Sequence, residues 1–300
     1  MNVSLRTRLI TALQTRKPWI RSLYRLIGLS ILVYLLIGLD YSLVWQSLLG
    51  IHAGYLMLSI LLVIPMVVGK AWRWQRFLQD HQIRLSLWQS TLIYLHGYGL
   101  GTVTPGQVGE LIKIVKVAEL HPDAKKSQIF GTIVNDRFYD LAGLALFGFP
   151  ALLFSPVLSF PVAVILPLFM LAVVVSYNPN LILAITRKWF DFRFNKRYGG
   201  NLFISIAITA LIIFRGILVF MAMGIKIPLN MVALHLPVIN LISLLPISIS
   251  GFGTREATMI YFFSRWSVSE ERLVLTGLIM GLVFFLLNGL LGSLVIALKK

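Results

Sequence analysis

The chain has 300 residues, of which 58% are hydrophobic and only 13% charged. Soluble domains run near about 45–50% apolar and about 25% charged, so this composition cannot cover a soluble surface of this size and excludes both a soluble globular enzyme and a disordered chain. There is no cysteine, which removes disulfides, thiolate metal sites and cysteine nucleophiles; 27 Lys and Arg against 11 Asp and Glu give a net charge of +16, and a mean hydropathy of +0.85 points to a bilayer rather than nucleic acid as the partner of that charge.

Residues 1–21 form a basic segment. Leu5, Leu9 and Leu13 recur at i, i+4 and i+8 beside Arg6 and Arg8. That pattern suits a basic amphipathic helix on an anionic leaflet, and equally a solvated tail that sets orientation. No small-residue cleavage site follows the next apolar run, so no removed signal peptide is expected. A spanning helix needs about 20 mostly apolar residues, and six segments qualify: 22–39, 53–69, 138–155, 157–177, 202–224 and 273–298. Two further stretches, 88–120 and 231–264, are long but interrupted. The first breaks at Thr104-Pro105-Gly106-Gln107-Val108-Gly109-Glu110, the second at Pro246-Ile247-Ser248-Ile249-Ser250-Gly251-Phe252-Gly253. Proline removes a helical hydrogen bond and glycine raises the entropic cost of helix. Broken backbone persists at membrane depth only where protein or a watery cavity satisfies it. Each stretch therefore reads as a hairpin that enters and leaves on one side, with two kinked spans as the alternative.

Charge placement sets the orientation. With a cytoplasmic N-terminus, the inside segments hold 19 Lys and Arg, including Lys70, Arg73, Arg76, Arg84, Lys125 and Lys126. The outside segments hold Lys226, Arg265 and Arg272. The positive-inside rule favours this arrangement, and all seven Trp fall in loops or near span ends, as an interfacial belt requires. The expected fold is an all-α polytopic integral membrane protein, with six full spans and two broken re-entrant hairpins arranged as an inverted repeat. Residues 22–155 form the first repeat and 156–300 the second, within one transmembrane domain. It lies in the cell (cytoplasmic/inner) membrane with both termini cytoplasmic. Inverted repeats with discontinuous helices at matching places point to a midplane transport site.

Ionisable residues in apolar stretches cost about 2.5–3.5 kcal/mol each on insertion scales, yet Glu110, Lys113, Lys116, Asp136, Arg137, Asp140, Arg215, Arg255 and Glu256 all lie in or beside such stretches. They are expected to form a site, or else buried pairs that fix packing. Glu110 and Lys113 share a helix face, as do Asp136 and Asp140. Arg137 can pair with Asp140 one turn on, whereas Arg255 has only the adjacent Glu256, which points about 100° away. Arg255 and Glu256 open the helix after the second break, where N–H groups and the dipole favour an anion. With Lys113, Arg137 and Arg255 nearby, the simplest ligand is a phosphate. Two places are open to Arg215: the same cavity, or a pairing with Asp140. The structural breaks are expected at Pro105, Gly106, Gly109, Pro246, Gly251 and Gly253. No cofactor or metal is expected. A rival enzyme reading has Asp136, Asp140 and Glu110 holding Mg²⁺ for a lipid phosphotransferase, although Arg137 beside them already compensates charge.

Three motifs carry a family resemblance: Pro105-Gly106-Gln107-Val108-Gly109-Glu110-Leu111-Ile112-Lys113, Arg137-x-x-Asp140, and Pro246-Ile247-Ser248-Ile249-Ser250-Gly251-Phe252-Gly253-Thr254-Arg255-Glu256. They resemble the flippase-like, lysylphosphatidylglycerol synthase transmembrane-region family over almost the whole chain. Where that family often has Arg, this chain has Lys113, which keeps the charge without the bidentate fork. The resemblance implies movement of a phosphate-bearing lipid or lipid-linked headgroup between leaflets, with substrate contacts from Glu110, Lys113, Arg137, Asp140, Arg215, Arg255 and Glu256. The implied partners are anionic or polyprenyl-phosphate-linked membrane lipids. Some members carry a fused aminoacyl-transferase or glycosyltransferase domain. Here the chain ends at Lys300, directly after its last predicted span, so a stand-alone transporter served by a separate lipid-modifying enzyme is expected. A non-transporting partner of such an enzyme is the further alternative. With no ATP-binding P-loop, movement is downhill or ion-coupled, and Glu110, Asp140 and Glu256 are the proton-coupling candidates.

Overall fold

A computed structural model describes residues 18–155, 196–245 and 248–297, and within them every regular element is helical. The predicted span 157–177, most of the basic N-terminal segment and Pro246 lie outside these residues. Helix α1 (Pro18–Ile37) ends at Gly38. The chain then turns by 93° into α2 (Tyr41–Leu49). Most of the segment between the predicted spans 22–39 and 53–69 is therefore helix rather than loop. Asp40 supplies the reason, since its carboxylate accepts the Ser42 N–H at 2.8 Å and caps the new helix. Trp45 and Leu49 stand exposed on α2.

The helices α3 (Ala53–Leu61) and α4 (Val63–Gln79) follow each other through Leu62 as one 27-residue apolar run. It continues ten residues beyond the predicted end at 69. Lys70 and Arg73, expected at the cytoplasmic edge, are therefore interior: they are 4% and 0% exposed. By length and composition, Ala53–Gln79 and Gly199–Ala222 suffice to cross a membrane, and the bent α1–α2 pair makes a third if counted as one span. The predicted segments 138–155, 202–224 and 273–298 fall largely within α7 (Lys126–Phe154), α8 (Lys196–Ala222) and α11 (Glu270–Ala297).

Both interrupted stretches double back. In the first, α5 (Leu87–Val103) is opened by a Ser86–Gln89 capping box. It leads through a 3₁₀ segment (Pro105–Leu111) into α6 (Ile112–Leu120). Gly97 packs on the Lys113 side chain, and the His121 ring lies 3.2 Å from the Arg84 carbonyl oxygen. Start and finish thus share one end, which two collinear helices would place more than 30 Å apart at about 1.5 Å per residue. In the second, α9 (Leu229–Ser243) and α10 (Thr254–Phe263) run side by side, with the His235 ring 4.6 Å from Phe262. Gly251 and Gly253 have φ of +81° and +83°, a conformation that other residues adopt only with strain. Gly253 also lies against the Gly28 carbonyl, so α1 is clasped to this tip without an intervening side chain.

The interrupted stretches and the long helices pack crosswise. Gly148 of α7 lies against Pro237, Val238 and Leu241 of α9. Gly292 of α11 lies against Leu95 and Gly99 of α5. The long helix that follows each interrupted stretch thus covers the first arm of the other. Small residues at these contacts let backbones approach closely, as membrane bundles require. One core gathers Trp74, Tyr94, Val117 and Ile129; the other gathers Phe220, Leu236, Phe262 and Phe263.

The tight first hairpin gives a direct test. A Cβ at Gly109 would overlap the Leu100 carbonyl, which is backbone and cannot yield, whereas one at Gly54 meets nothing within 4 Å. Gly109→Ala is expected to lower the detergent melting temperature through an overpacking cost of about 1–3 kcal/mol. Gly54→Ala should leave it unchanged or raise it slightly.

Candidate functional site

The site begins with two pairs of residues one turn apart on facing helices. Lys70 and Arg73 on α4 meet Asp136 and Asp140 on α7. Arg73 Nε donates to Asp136 Oδ1 at 2.8 Å, and Nη2 donates to Asp140 Oδ1 at 2.6 Å. Its Nη1 donates to Ser205 Oγ on α8 at 2.7 Å, so one guanidinium ties three helices. Lys70 Nζ donates to Asp140 Oδ2 at 2.6 Å, and the Tyr94 hydroxyl donates to Asp136 Oδ2 at 2.9 Å. All four carboxylate oxygens of Asp136 and Asp140 therefore accept from protein donors. That occupancy leaves the pair poorly disposed to hold Mg²⁺, and no three His, Asp or Glu gather elsewhere among the described residues.

A second cluster joins the first hairpin to α7. Lys113 is fully buried, 3.6 Å from the Tyr94 ring centroid and 3.1 Å from Glu110 Oε2. Its ammonium reaches this slot beside Gly97, where no Cβ intervenes. Arg137 forms an ion pair with Glu110 and lies 3.5 Å from Asp140 Oδ2. The expected Arg137–Asp140 pair is thus the weaker contact. Asp140 is held by Lys70 and Arg73, and the main carboxylate partner of Arg137 comes from the first hairpin.

These residues open onto a cavity of about 100 Å³. That is room for several waters or one phosphate group and far less than a whole phospholipid needs. Lys70, Arg137, Asp140, Arg215 and Arg255 line it, with Tyr98, Thr209, Asn240, Ser243 and Ser250 between them. Of the two places open to Arg215, it takes the cavity wall, with Nη2 3.5 Å from the Met280 carbonyl oxygen. Arg255 Nη2 donates to the Ser250 carbonyl at 2.6 Å, and Nη1 faces the Gly277 carbonyl at 3.4 Å. Its donors therefore go to main-chain oxygens rather than to a carboxylate. Arg215 and Arg255 flank the same stretch of α11, where Gly281 leaves space for the guanidinium.

Three predicted site residues stand behind this wall. Glu110 and Lys113 reach the cavity only through Arg137. Glu256 is fully buried and accepts the Gly253 N–H at 2.5 Å, closing the N-terminus of α10 as a capping box does. Of the described residues of the first hairpin, Tyr98 on its first arm lines the cavity. Lys70, Arg73 and Tyr98 were missed from sequence. Their signal was present: an i, i+3 pair of cations inside an apolar run that continues to Leu78, opposite an i, i+4 pair of aspartates.

Residues 23–292 match the family described as Lysylphosphatidylglycerol synthase TM region. The chain belongs to that family. A relative in the same vein is UPF0104 membrane protein PH1989 of Pyrococcus horikoshii, 24% identical over 132 residues. That alignment takes in 43% of this chain and 39% of the relative, so the chain spans well under half the length of the curated relative it matches. No solved structure matches. Family membership and the long apolar helices make this a multi-pass membrane protein.

The geometry separates residues that hold the bundle from residues that face the cavity. Arg73→Ala leaves Asp136 buried with the Tyr94 hydroxyl but without its cation, removes one of the cations on Asp140, and is expected to cost about 3–5 kcal/mol. Arg255→Gln removes only bonds to carbonyls and should melt within a few degrees of the parent. Parallel melting curves in one detergent check the contrast, and an early-melting Arg255→Gln beside a stable Arg73→Ala would reverse the two roles.

Proposed function

We propose that this protein moves a lipid bearing an anionic, phosphate-containing headgroup between leaflets, with the headgroup in the cavity and the tails left in the bilayer. The observation that carries this is the cavity's charge: four cationic side chains and one carboxylate line it, and that carboxylate is already engaged by Lys70 and Arg73. An interior so biased to positive charge favours an anion. Guanidinium groups suit phosphate because their forked donors match its oxygens.

The inverted repeat and the re-entrant hairpins are part of the same proposal. Crosswise packing of α7 on α9 and of α11 on α5 supports two halves related by a pseudo-twofold axis. In such proteins, transport follows rocking of one half against the other around a fixed site. The protein is placed in the cell membrane with both termini cytoplasmic, on the strength of the positive residues at 76–126 and near the chain ends. Anionic membrane lipids are its partners, supplied by a separate lipid-modifying enzyme.

A leaflet-resolved lipid assay in reconstituted vesicles tests the proposal. The parent protein should move an anionic phospholipid faster than empty vesicles do, with or without EDTA. Arg255→Ala should abolish movement while inserting normally, and Arg255→Lys should restore part of it. Parent-rate movement by Arg255→Ala would remove the cavity from the mechanism. The absence of native cysteine makes orientation equally testable: a cysteine replacing Trp45 should label from outside intact cells and one replacing Lys125 should not.

A further inference from the structure

We infer that the cavity is matched to a terminal phosphate monoester, a dianion, and selects against phosphodiester and aminoacylated headgroups; this rests on the anionic-lipid reading above and narrows it. The inference comes from where the charge sits. Among the described residues, Lys70, Arg137, Arg215 and Arg255 line the cavity against Asp140, an excess of three. The layer behind adds Arg73 and Lys113 with Asp136 and Glu110, two of each sign, mutually bonded and buried. That layer is neutral, so it leaves the excess at the cavity. Counting Glu256, whose carboxylate caps α10 next to Arg255, the excess is still two.

A buried excess of two to three positive charges is costly unless a counter-charge enters with the ligand. A phosphodiester brings one negative charge and leaves at least one cation uncompensated. A phosphate monoester carries about −1.5 to −2 near neutral pH and offers three acceptor oxygens. An aminoacylated headgroup adds an ammonium to a site already too positive. The hydroxyls of the wall leave recognition of an anion to the charged groups. Ser243 Oγ donates to the Ile239 carbonyl at 2.7 Å and Thr209 Oγ1 to the Ser205 carbonyl at 2.9 Å. With those hydroxyl protons already engaged, the charged groups are the principal donors, and they suit bare phosphate oxygens. The size is compatible as well, since about 100 Å³ accommodates a phosphate group.

The test compares two lipids of matched chains and nearly equal headgroup size, phosphatidic acid and phosphatidylmethanol, which differ by about one charge. Binding to the full chain is measured in nanodiscs of phosphatidylcholine at mildly alkaline pH, with inorganic phosphate alone and lysylphosphatidylglycerol as further arms. Phosphatidic acid should bind about tenfold or more tighter than phosphatidylmethanol, the scale of one further charge interaction at partly screened distance. Lysylphosphatidylglycerol should bind more weakly than either, and inorganic phosphate should compete only weakly. Arg255→Gln should shrink the preference to about twofold, and Arg215→Gln serves the same purpose if the first variant does not fold. Equal binding of the two anionic lipids, or an undiminished preference in a folded variant, overturns the monoester assignment and leaves the anionic-lipid reading intact. No preference for either lipid over phosphatidylcholine overturns both. Inorganic phosphate binding as tightly as phosphatidic acid overturns the lipid as the source of the phosphate.

Discussion

Arg73 is the residue on which the arrangement of this interior depends. Fully buried, it satisfies Asp136, Asp140 and Ser205 at once and so fixes the mutual rotation of α4, α7 and α8. The ion cluster adds little net stability by itself, because taking charges out of water offsets most of their attraction. What it supplies is uniqueness of register: rotating any one of the three helices by a fraction of a turn would strand a charge. The cavity lies directly beside this knot, and its charged wall is built from neighbours in the same network.

The halves share a packing plan but differ in electrostatics. In the first half, each buried cation finds a carboxylate, and Lys113 also lies over the Tyr94 ring. In the second half, Arg255 is oriented by main-chain carbonyls of its own hairpin tip and of α11. Carbonyl dipoles orient a guanidinium without neutralising it. The cavity thus meets ion-paired cations, Lys70 and Arg137, on one side and carbonyl-held Arg255 on the other.

Much of this was legible in the residues because proline and glycine mark breaks that hydrophobic runs alone would conceal. Pro105 and Gly109, then Gly251 and Gly253, stand where the chain does turn back. The site was legible as a set of charges but not as a set of pairs. Asp140 was matched to its helical neighbour Arg137, since spacing shows only local partners, whereas Lys70 and Arg73 lie 70 and 67 positions away. Those two cations also stand beside Trp72 and Arg76, which gave the segment the look of a membrane edge. Glu256 stands at the third position after Gly253, where a glutamate accepts the N-cap N–H, the half of a capping box that needs no side chain on Gly253. The burial of the charges drew notice first, and the local motif explains them better.

Arg137 sits at a junction with thermodynamic weight. It faces the cavity, yet it also grips Glu110, which belongs to the first hairpin. A guanidinium has a limited number of donors, so an anion that recruits Arg137 loosens its hold on Glu110. Linkage makes this reciprocal: whatever disfavours the Glu110 contact tightens anion binding by the same factor. Occupancy of the proposed anion site and the Arg137–Glu110 contact are thereby coupled through a single side chain.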